Sequence, residues 1–560
     1  MTNGNCSRPG NFRALLADRV FGCALMAACC LMLSAIAVQA QGLPTNALLE
    51  PPTTFWPTYN GDYSGRRFSP LDQINSSNVN SLTLAWLFAT GTQAIKSTPL
   101  EVNGILYFSV PDNVWAVDAR TGREIWHYYR QSEGDHIGNR GVGMWHDRLY
   151  FTTPDARLVC LNAKDGRVIW ITRLADAGLK YFATMSPLVI RDHVIVGVSG
   201  DVTDIPGFLD SIDPATGKLQ WRWYVEPMPG EPGANTWPDV DAMRHGGGMT
   251  WMTGTYDPEL NLLYWGTGNP NPVLVGSARP GANLYTCSIV ALNPDTGKMV
   301  WYYQASPHDV HDWDNVETPV IFDGEFNGKP MHLLAQAARN SFFFLLDRTN
   351  GKHLLTAPFI DETWSDTTDA EGHPIPKPHT APSPDGALVE PASEGGTNWM
   401  APSYDPQTGL FYVTATRTFS IYYLTARGKA EGWGGRDRGL WADSATRAIN
   451  YKTGKIAWTH ELGHGGSAAG NLSTAGHLLF TADSAGNLLA LDPATGKTLW
   501  HVNAGGRMDS GPMTYMLDGH QYVIMTSADR LMAFALPEKP AESAGRAAGR
   551  GVMAEKRGQR

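Results

Sequence analysis

The sequence predicts an all-β fold, an eight-bladed β-propeller, from a repeated phrase, the period of that phrase and the composition. The phrase is a small residue, any residue, Asp or Asn, two further residues, Thr or Asp, Gly, Lys or Arg, two more, and Trp. It occupies 116–126, 160–170, 211–221, 291–301, 448–458 and 490–500, and each copy closes on a tryptophan. Trp126 and Trp170 lie 44 residues apart, and Trp458 and Trp500 lie 42 apart. A unit of four strands at such a period is a propeller blade. The composition agrees: 59 Gly and 37 Pro punctuate a chain of 560 residues that also carries 19 Trp, 20 Tyr and 19 Phe. Many short strands joined by turns need that mixture.

Each copy has a mechanical reading. A strand ends at the Asp or Asn, the Thr-Gly pair turns the chain because glycine accepts positive φ, and the next strand ends in Trp. Alternating strings such as Ile105-Leu106-Tyr107-Phe108 and His193-Val194-Ile195-Val196 supply further strands. A weaker copy runs over 345–354, and 78–86 shares only its closing Trp86. The interval from Trp221 to Trp301 is nearly twice the others and leaves room for one long blade or two short ones. From Trp56 to Ala535 the chain holds about eight blades at this period. A Trp repeated at one place in each unit is a wedge between blades, so these tryptophans are given no chemistry.

The ends of the chain differ from its body. Arg8, Arg13 and Arg19 precede an apolar run over 20–38 that closes on Val38-Gln39-Ala40. This is a secretory pattern with cleavage after Ala40, which places the mature chain in the periplasm or outside the cell. A membrane anchor, or lipidation at Cys29, are the alternatives. No second apolar span follows, so the mature chain has no membrane span. The expected organisation is a leader over 1–40, one propeller over 41–536 and a disordered, Ala-, Gly-, Glu- and Arg-rich tail over 537–560. Four of the six cysteines (Cys6, Cys23, Cys29, Cys30) lie in the leader, leaving Cys160 and Cys287. No Cys-x-x-Cys-His occurs, so no c-type haem is attached to this chain. A net charge of −10 offers no footprint for nucleic acid.

Three strings between the repeats carry more specific information. They are Gly246-Gly247-Gly248-Met249-Thr250-Trp251, followed by Trp265-Gly266-Thr267-Gly268-Asn269-Pro270; Pro307-His308-Asp309-Val310-His311-Asp312-Trp313-Asp314; and Gly395-Gly396-Thr397-Asn398-Trp399. With the docking phrase, they make the chain resemble the pyrroloquinoline-quinone (PQQ) dependent alcohol dehydrogenases, eight-bladed quinoproteins, over nearly all of residues 50–535. The resemblance implies that the quinone lies over Trp251. It implies cofactor contacts from Arg140, Thr184, Ser199, Arg339 and Asn398, a metal ligand in Asn269, and a catalytic base in Asp312. The residue types suit the chemistry. A planar trianion needs cations, hydroxyl donors and an aromatic floor. Arg339 would stabilise charge developing on the quinone oxygens, a metal ion would act as a Lewis acid, and an aspartate would take the alcohol proton.

The chain departs from the family in places that matter. The family's metal-binding glutamate follows a Ser-Gly pair, and the ungapped match here puts Val202 at that position, flanked by Asp201 and Asp204. Either aspartate is a candidate ligand; Asp201 faces the other side of a regular strand and Asp204 lies two residues farther on. The family's adjacent Cys-Cys pair falls at Gly134-Asp135, and its glutamate contacting the quinone carboxylates falls at Lys96. A lysine is electrostatically reasonable beside a trianion. An aspartate two residues after the base, here Asp314, accompanies lanthanide use in the family, while small residues accompany calcium. Asp312, Asp314 and Asn269 could also hold calcium. His308 and His311 with Asp309 and Asp312 are a separate candidate zinc set. The expected function is oxidation of a small-molecule alcohol, with electrons passed to a separate soluble c-type cytochrome. The segment 361–391 is the candidate roof over the substrate. The alternative is a propeller that has lost catalysis and serves as a binding scaffold.

Overall fold

The computed structural model describes residues 43, 45–49, 51–134, 138–200, 203–425 and 433–537. The leader, the cleavage point after Ala40, Asp135, Asp201, Val202 and the tail beyond 537 lie outside the described residues. Among the described residues the chain forms eight blades, each built on a four-stranded antiparallel sheet. Blades 1 to 7 occupy residues 100–129, 143–173, 188–224, 255–304, 320–358, 403–464 and 472–503. Blade 8 takes three strands from 513–535, and its fourth is the early strand Thr83–Ala89, which pairs antiparallel with Arg530–Ala535. The first and last parts of the chain thus close the ring in one sheet. The long interval from Trp221 to Trp301 makes one blade, with an excursion over 225–254 before its first strand. Phe68–Ser69 adds a short parallel strand inside blade 7.

Burial gives the order of the strands. In blades 1 to 3 the first three strands are almost wholly buried, while fourth strands such as Glu124–Tyr129 and Val168–Arg173 alternate between exposed and half-buried. The first strand therefore lies innermost and the fourth outermost. Apolar cores run from blade to blade: one cluster joins residues of blades 5 and 6, and another joins blades 6 and 7.

The repeated phrase works as a dock between neighbours. In blade 1, Asp118 Oδ1 accepts the N–H groups of Arg120 and Thr121, and Gly122 takes φ 71°. A Cβ on Gly122 would sit 2.6 Å from the Trp86 ring, so the tryptophan of the preceding blade lies flat on the turn. Trp86 also donates its indole N–H to Ala119 O. The same cover joins Trp126 to Gly166, Trp170 to Gly217, Trp221 to Gly297, Trp301 to Gly351 and Trp458 to Gly496. A bulge precedes each tryptophan; in blade 1 Ile125 is the extra residue between the pairs Val117–Glu124 and Ala116–Trp126. Two readings change. Trp86 is a full member of the ring, because its strand completes blade 8. In blade 5 the bulge falls at Leu354, so Leu355 takes the place of the tryptophan, against Gly454.

Cys160 and Cys287 are buried and unpaired.

One buried acid makes stability depend on pH. Glu101 lies 1% exposed in the inner strand Leu100–Val102, where burial pushes its carboxyl up from 4.5 to about 8 against the opposing pull of the Gly104 N–H and Arg120. The folded chain therefore holds more protons than the unfolded chain between these values. The stability contributed by the neutral acid is complete below pH 4.5 and is lost as pH rises through about 8. Glu101→Gln is expected to flatten the fall of the urea midpoint between about pH 5 and about pH 9. An unchanged slope would remove Glu101 from this role.

Candidate active site

Antiparallel alternation decides where the site can form. With the first strand running away from one end, the turn between strands two and three and the crossover from strand four to the next blade return to that same end. The Thr-Gly turns lie at the other. The crossovers carry Lys96, Arg140, Thr184, Trp251, Asp312, Asp314, Asn398 and Trp399, and the turns carry Ser199, Asn269 and Arg339. Loops from blades far apart in sequence, from Lys96 to Trp399, meet there.

The contacts are continuous. The Arg140 guanidinium lies 4.7 Å from the Trp251 ring centre and 5.4 Å from that of Trp399. Its Nη1 donates to Thr184 Oγ1 at 2.6 Å. Lys96 Nζ sits 5.3 Å over Trp399, and burial followed by the neighbouring Arg140 lowers its pKa. Trp251 donates its indole N–H to Asp314 Oδ2 at 2.9 Å, and Arg339 Nη1 donates to the same oxygen at 2.6 Å. The other oxygen of Asp314 accepts the backbone N–H of Asn269 at 2.6 Å. Arg339 Nη2 reaches Asp312 Oδ2 at 3.4 Å and donates to Ser393 O at 2.7 Å. Burial opposes the Arg339 charge, but Asp312, Asp314, Glu394 and Glu317 outweigh it and hold the guanidinium protonated.

The loop bearing the two aspartates is folded by a third. Asp309 Oδ2 accepts the N–H groups of His311, Asp312 and Trp313 at 3.0–3.3 Å. Asp312 takes φ 69°, and its side chain is 14% exposed. His311 stacks on Trp313 at 4.1 Å and bonds Thr380 O through Nε2. Burial lowers its pKa to about 4, so the ring is neutral and donates that bond. His308 bonds Gly281 O through Nδ1. Both histidines of the candidate zinc set are thus committed to backbone carbonyls. His311 and Trp313, with the segment 361–391, line a cavity of about 730 Å³ that does not include Asp312. Among its lining residues Trp364 packs on Trp313 at 4.7 Å. The candidate roof therefore packs against His311 and Trp313.

Two glycine-rich strings brace one another. Gly248 N donates to Asn269 O and Gly268 N donates to Met249 O, so Trp251 and Asn269 are placed by one short bridge. A Cβ at Gly268 would stand 2.8 Å from Asp314 Oδ1 and 3.0 Å from the Met249 backbone.

The remaining sequence candidates are placed as follows. Asn398 is turned inward on its own loop: Nδ2 donates to Glu394 O and Oε2, and Oδ1 accepts the Trp399 N–H. Ser199 is paired through its backbone with Phe182, and its buried hydroxyl has no protein partner. Asp204 O bonds the His245 ring. Among the described residues, no carboxylate set that includes Asp312, Asp314 and Asp204 converges. The two convergent sets, Glu259–Asp323–His332 and Asp369–Glu371–His373, are at the surface. Sequence reasoning missed Trp399, which carries two cations, and Ser393, whose carbonyl holds Arg339. Trp399 was within reach, since it follows Asn398 in the quoted string; Ser393 leaves no signal in one sequence.

The residue set fits a flat anion with a cation beside it. Trp251 and Trp399 offer ring faces and Arg140 and Lys96 offer positive charge. Ser199 Oγ and Arg339 Nε are buried donors without protein partners. The acids around Arg339 outnumber it, and Asp312, Asp314 and the Asn269 side-chain amide would offer the oxygens that a hard ion prefers. Gly268→Ala is expected to displace Asp314, to cost about 1–3 kcal/mol through overpacking, and to abolish metal uptake measured by calorimetry. Unchanged metal affinity in that variant would show that the Asp314 position is not critical.

Comparison with known proteins shows the family. Residues 56–372 and 441–523 match the family model described as PQQ: glucose/ethanol/alcohol dehydrogenase, beta-propeller domain. The chain is 37% identical over 510 residues to quinohemoprotein alcohol dehydrogenase ADH IIB of Pseudomonas putida, covering 84% of this chain and 72% of that protein. It is 35% identical to quinoprotein alcohol dehydrogenase PedH of Pseudomonas putida, covering 83% of this chain and 84% of the relative. The solved structure of a europium-containing methanol dehydrogenase superposes with a TM-score of 0.79 at 28% identity, covering 88% of this chain and all of that one. The chain belongs to the PQQ-dependent alcohol dehydrogenase family and is an oxidoreductase.

Proposed function

We propose that the protein is an exported alcohol dehydrogenase in which Asp312 is the base and Arg339 steadies the charge that develops on reduction. The quinone would lie over Trp251, with Arg140, Lys96, Thr184, Ser199 and Asn398 supplying contacts at its edge. A cation is held by Asn269, Asp312 and Asp314, with Asp201 or Asp204 as the further carboxylate. The metal is calcium or a lanthanide ion. Asp314 favours the lanthanide because a trivalent ion needs more carboxylate charge. The leader over 1–40 directs the chain to the periplasm, and a separate soluble c-type cytochrome takes the electrons.

The observation that carries this reading is the buried knot of Asp312, Arg339, Asp314 and Trp251 beside two further cations. A scaffold has no use for it, since unneutralised charge in a dry interior costs stability. When bound, the quinone would supply a hydride acceptor and the cation a Lewis acid, while the residues of this chain hold and orient them. This chain's part is positional and protonic. Asp312, held open by the Asp309 nest, receives the hydroxyl proton at a carboxylate oxygen. Arg339 cannot lose its proton among these acids, so it offers only donors. Ser393 O fixes one arm of the guanidinium and Asp314 fixes the other.

Purified protein given PQQ with Ca²⁺ or La³⁺ is expected to reduce a dye in the presence of primary or secondary alcohol. Asp312→Asn is expected to lower turnover by about a hundredfold or more, with far-UV dichroism and thermal midpoint unchanged. Undiminished turnover in that variant would remove Asp312 as the base. No quinone uptake with either ion would favour the scaffold.

A further inference from the structure

Beneath the site lies a buried polar cluster that the proposed chemistry does not use. Glu317 is 3% exposed, and no side chain of the protein hydrogen-bonds either of its carboxylate oxygens. Asn315 and Gln336 beside it, with Thr318 and Thr255, also carry buried polar atoms without partners. The cluster is held by backbone: Gln336 Nε2 donates to Glu317 O at 2.6 Å and to Asn315 O at 3.3 Å. Five side chains with unmet polar atoms in one region call for internal water, because buried polar groups left without partners are rare and costly.

The cluster has two ends. At the upper end the guanidinium and backbone N–H of Arg339, and the Asp314 carboxylate, face Glu317. At the lower end Thr318 and Thr255 turn their methyl groups to Gly65, where a Cβ would lie 2.8 Å from the Thr255 methyl, 2.9 Å from Pro319 O and 3.1 Å from the Thr318 methyl. Gly65 sits between Ser64 and Arg66, which with Asp62 and Tyr256 line a surface cleft of about 230 Å³.

Resting on the reading of Asp312 as the base, we propose that Glu317 relays the alcohol proton from the Asp312–Arg339 end of the site to the Asp62–Arg66 cleft through internal water. Oxidation of one alcohol to its carbonyl releases two electrons and two protons. The electrons leave with the acceptor, and the hydroxyl proton must leave Asp312 before the next turnover. Burial pushes the Glu317 carboxyl well above its ordinary range against the opposing pull of Arg339, which favours the neutral acid. It passes its proton to water on the Thr318 side and takes one from water on the Arg339 side. One proton moves through, and Glu317 returns to its starting state. Arg339 cannot serve, because it holds its protons too tightly.

The test uses the full chain and Glu317→Gln, Glu317→Asp and Thr318→Val. The infrared difference spectrum of wild type minus Glu317→Gln is expected to show a carboxylic-acid carbonyl band, separate from that of Glu101, that shifts in D₂O. A band that is missing, or that does not exchange with solvent, overturns the relay whether or not the protein turns over alcohol. In PQQ-loaded protein, Glu317→Gln is expected to lower kcat about tenfold at unchanged KM and to alter the solvent isotope effect on kcat. Glu317→Asp restores most of the rate and Thr318→Val lowers it. Wild-type kcat and isotope effect in Glu317→Gln also overturn the relay. Absence of turnover in the wild type contradicts the proposed function instead, and the infrared result then decides Glu317 alone.

Discussion

Asp314 is the contact on which the site depends. One carboxylate, 5% exposed, accepts from the Trp251 indole, the Arg339 guanidinium and the Asn269 backbone. Those three partners come from a crossover and a turn of blade 4 and a turn of blade 5. A buried carboxylate with three donors is stable only in that geometry, since an unpaired one would pay the full desolvation penalty. The aromatic floor, the guanidinium and the amide are therefore fixed relative to each other before any ligand arrives. Preorganised groups of this kind do not have to reorient as charge develops.

The ring makes that contact possible. Tryptophans lying on the Thr-Gly turns of the next blade set the angle between sheets at one end, and pairing of Thr83–Ala89 with Arg530–Ala535 closes the circle. The opposite end is then free to carry long crossovers without loss of register. Charge is distributed unevenly there. Arg140 and Lys96 lie on the Trp399 side, and the acids gather around Arg339. A bound anion on one side and a bound cation on the other would relieve both imbalances at once.

The architecture was legible because each blade repeats its punctuation. Asp118, Thr121, Gly122 and a later Trp do local work that local sequence records. Trp86 was undervalued for the opposite reason: its blade is assembled from both ends of the chain, so its strand partners lie at the far end of the sequence. Leu355 was displaced by one position because a bulge inserts a residue that spacing alone does not reveal. In the site, residues inside dense strings (Trp251, Asn269, Asp312, Asp314) stood out, and the Gly268 contact explains why a glycine stands in one of them. Ser393 and Glu317 did not stand out, since a carbonyl has no residue type and a lone glutamate carries no spacing. The position of the family glutamate, Val202, lies outside the described residues.

The central claim is that this buried knot exists to hold a quinone and a cation together. It is tested most directly by measuring both in protein purified from cells that make PQQ, with metal content by mass spectrometry and quinone by absorbance. The account predicts one quinone and one calcium or lanthanide ion per chain, with both lost together in Asp314→Ala while the propeller remains folded. Folded wild-type protein that carries neither and takes up neither on addition would contradict it.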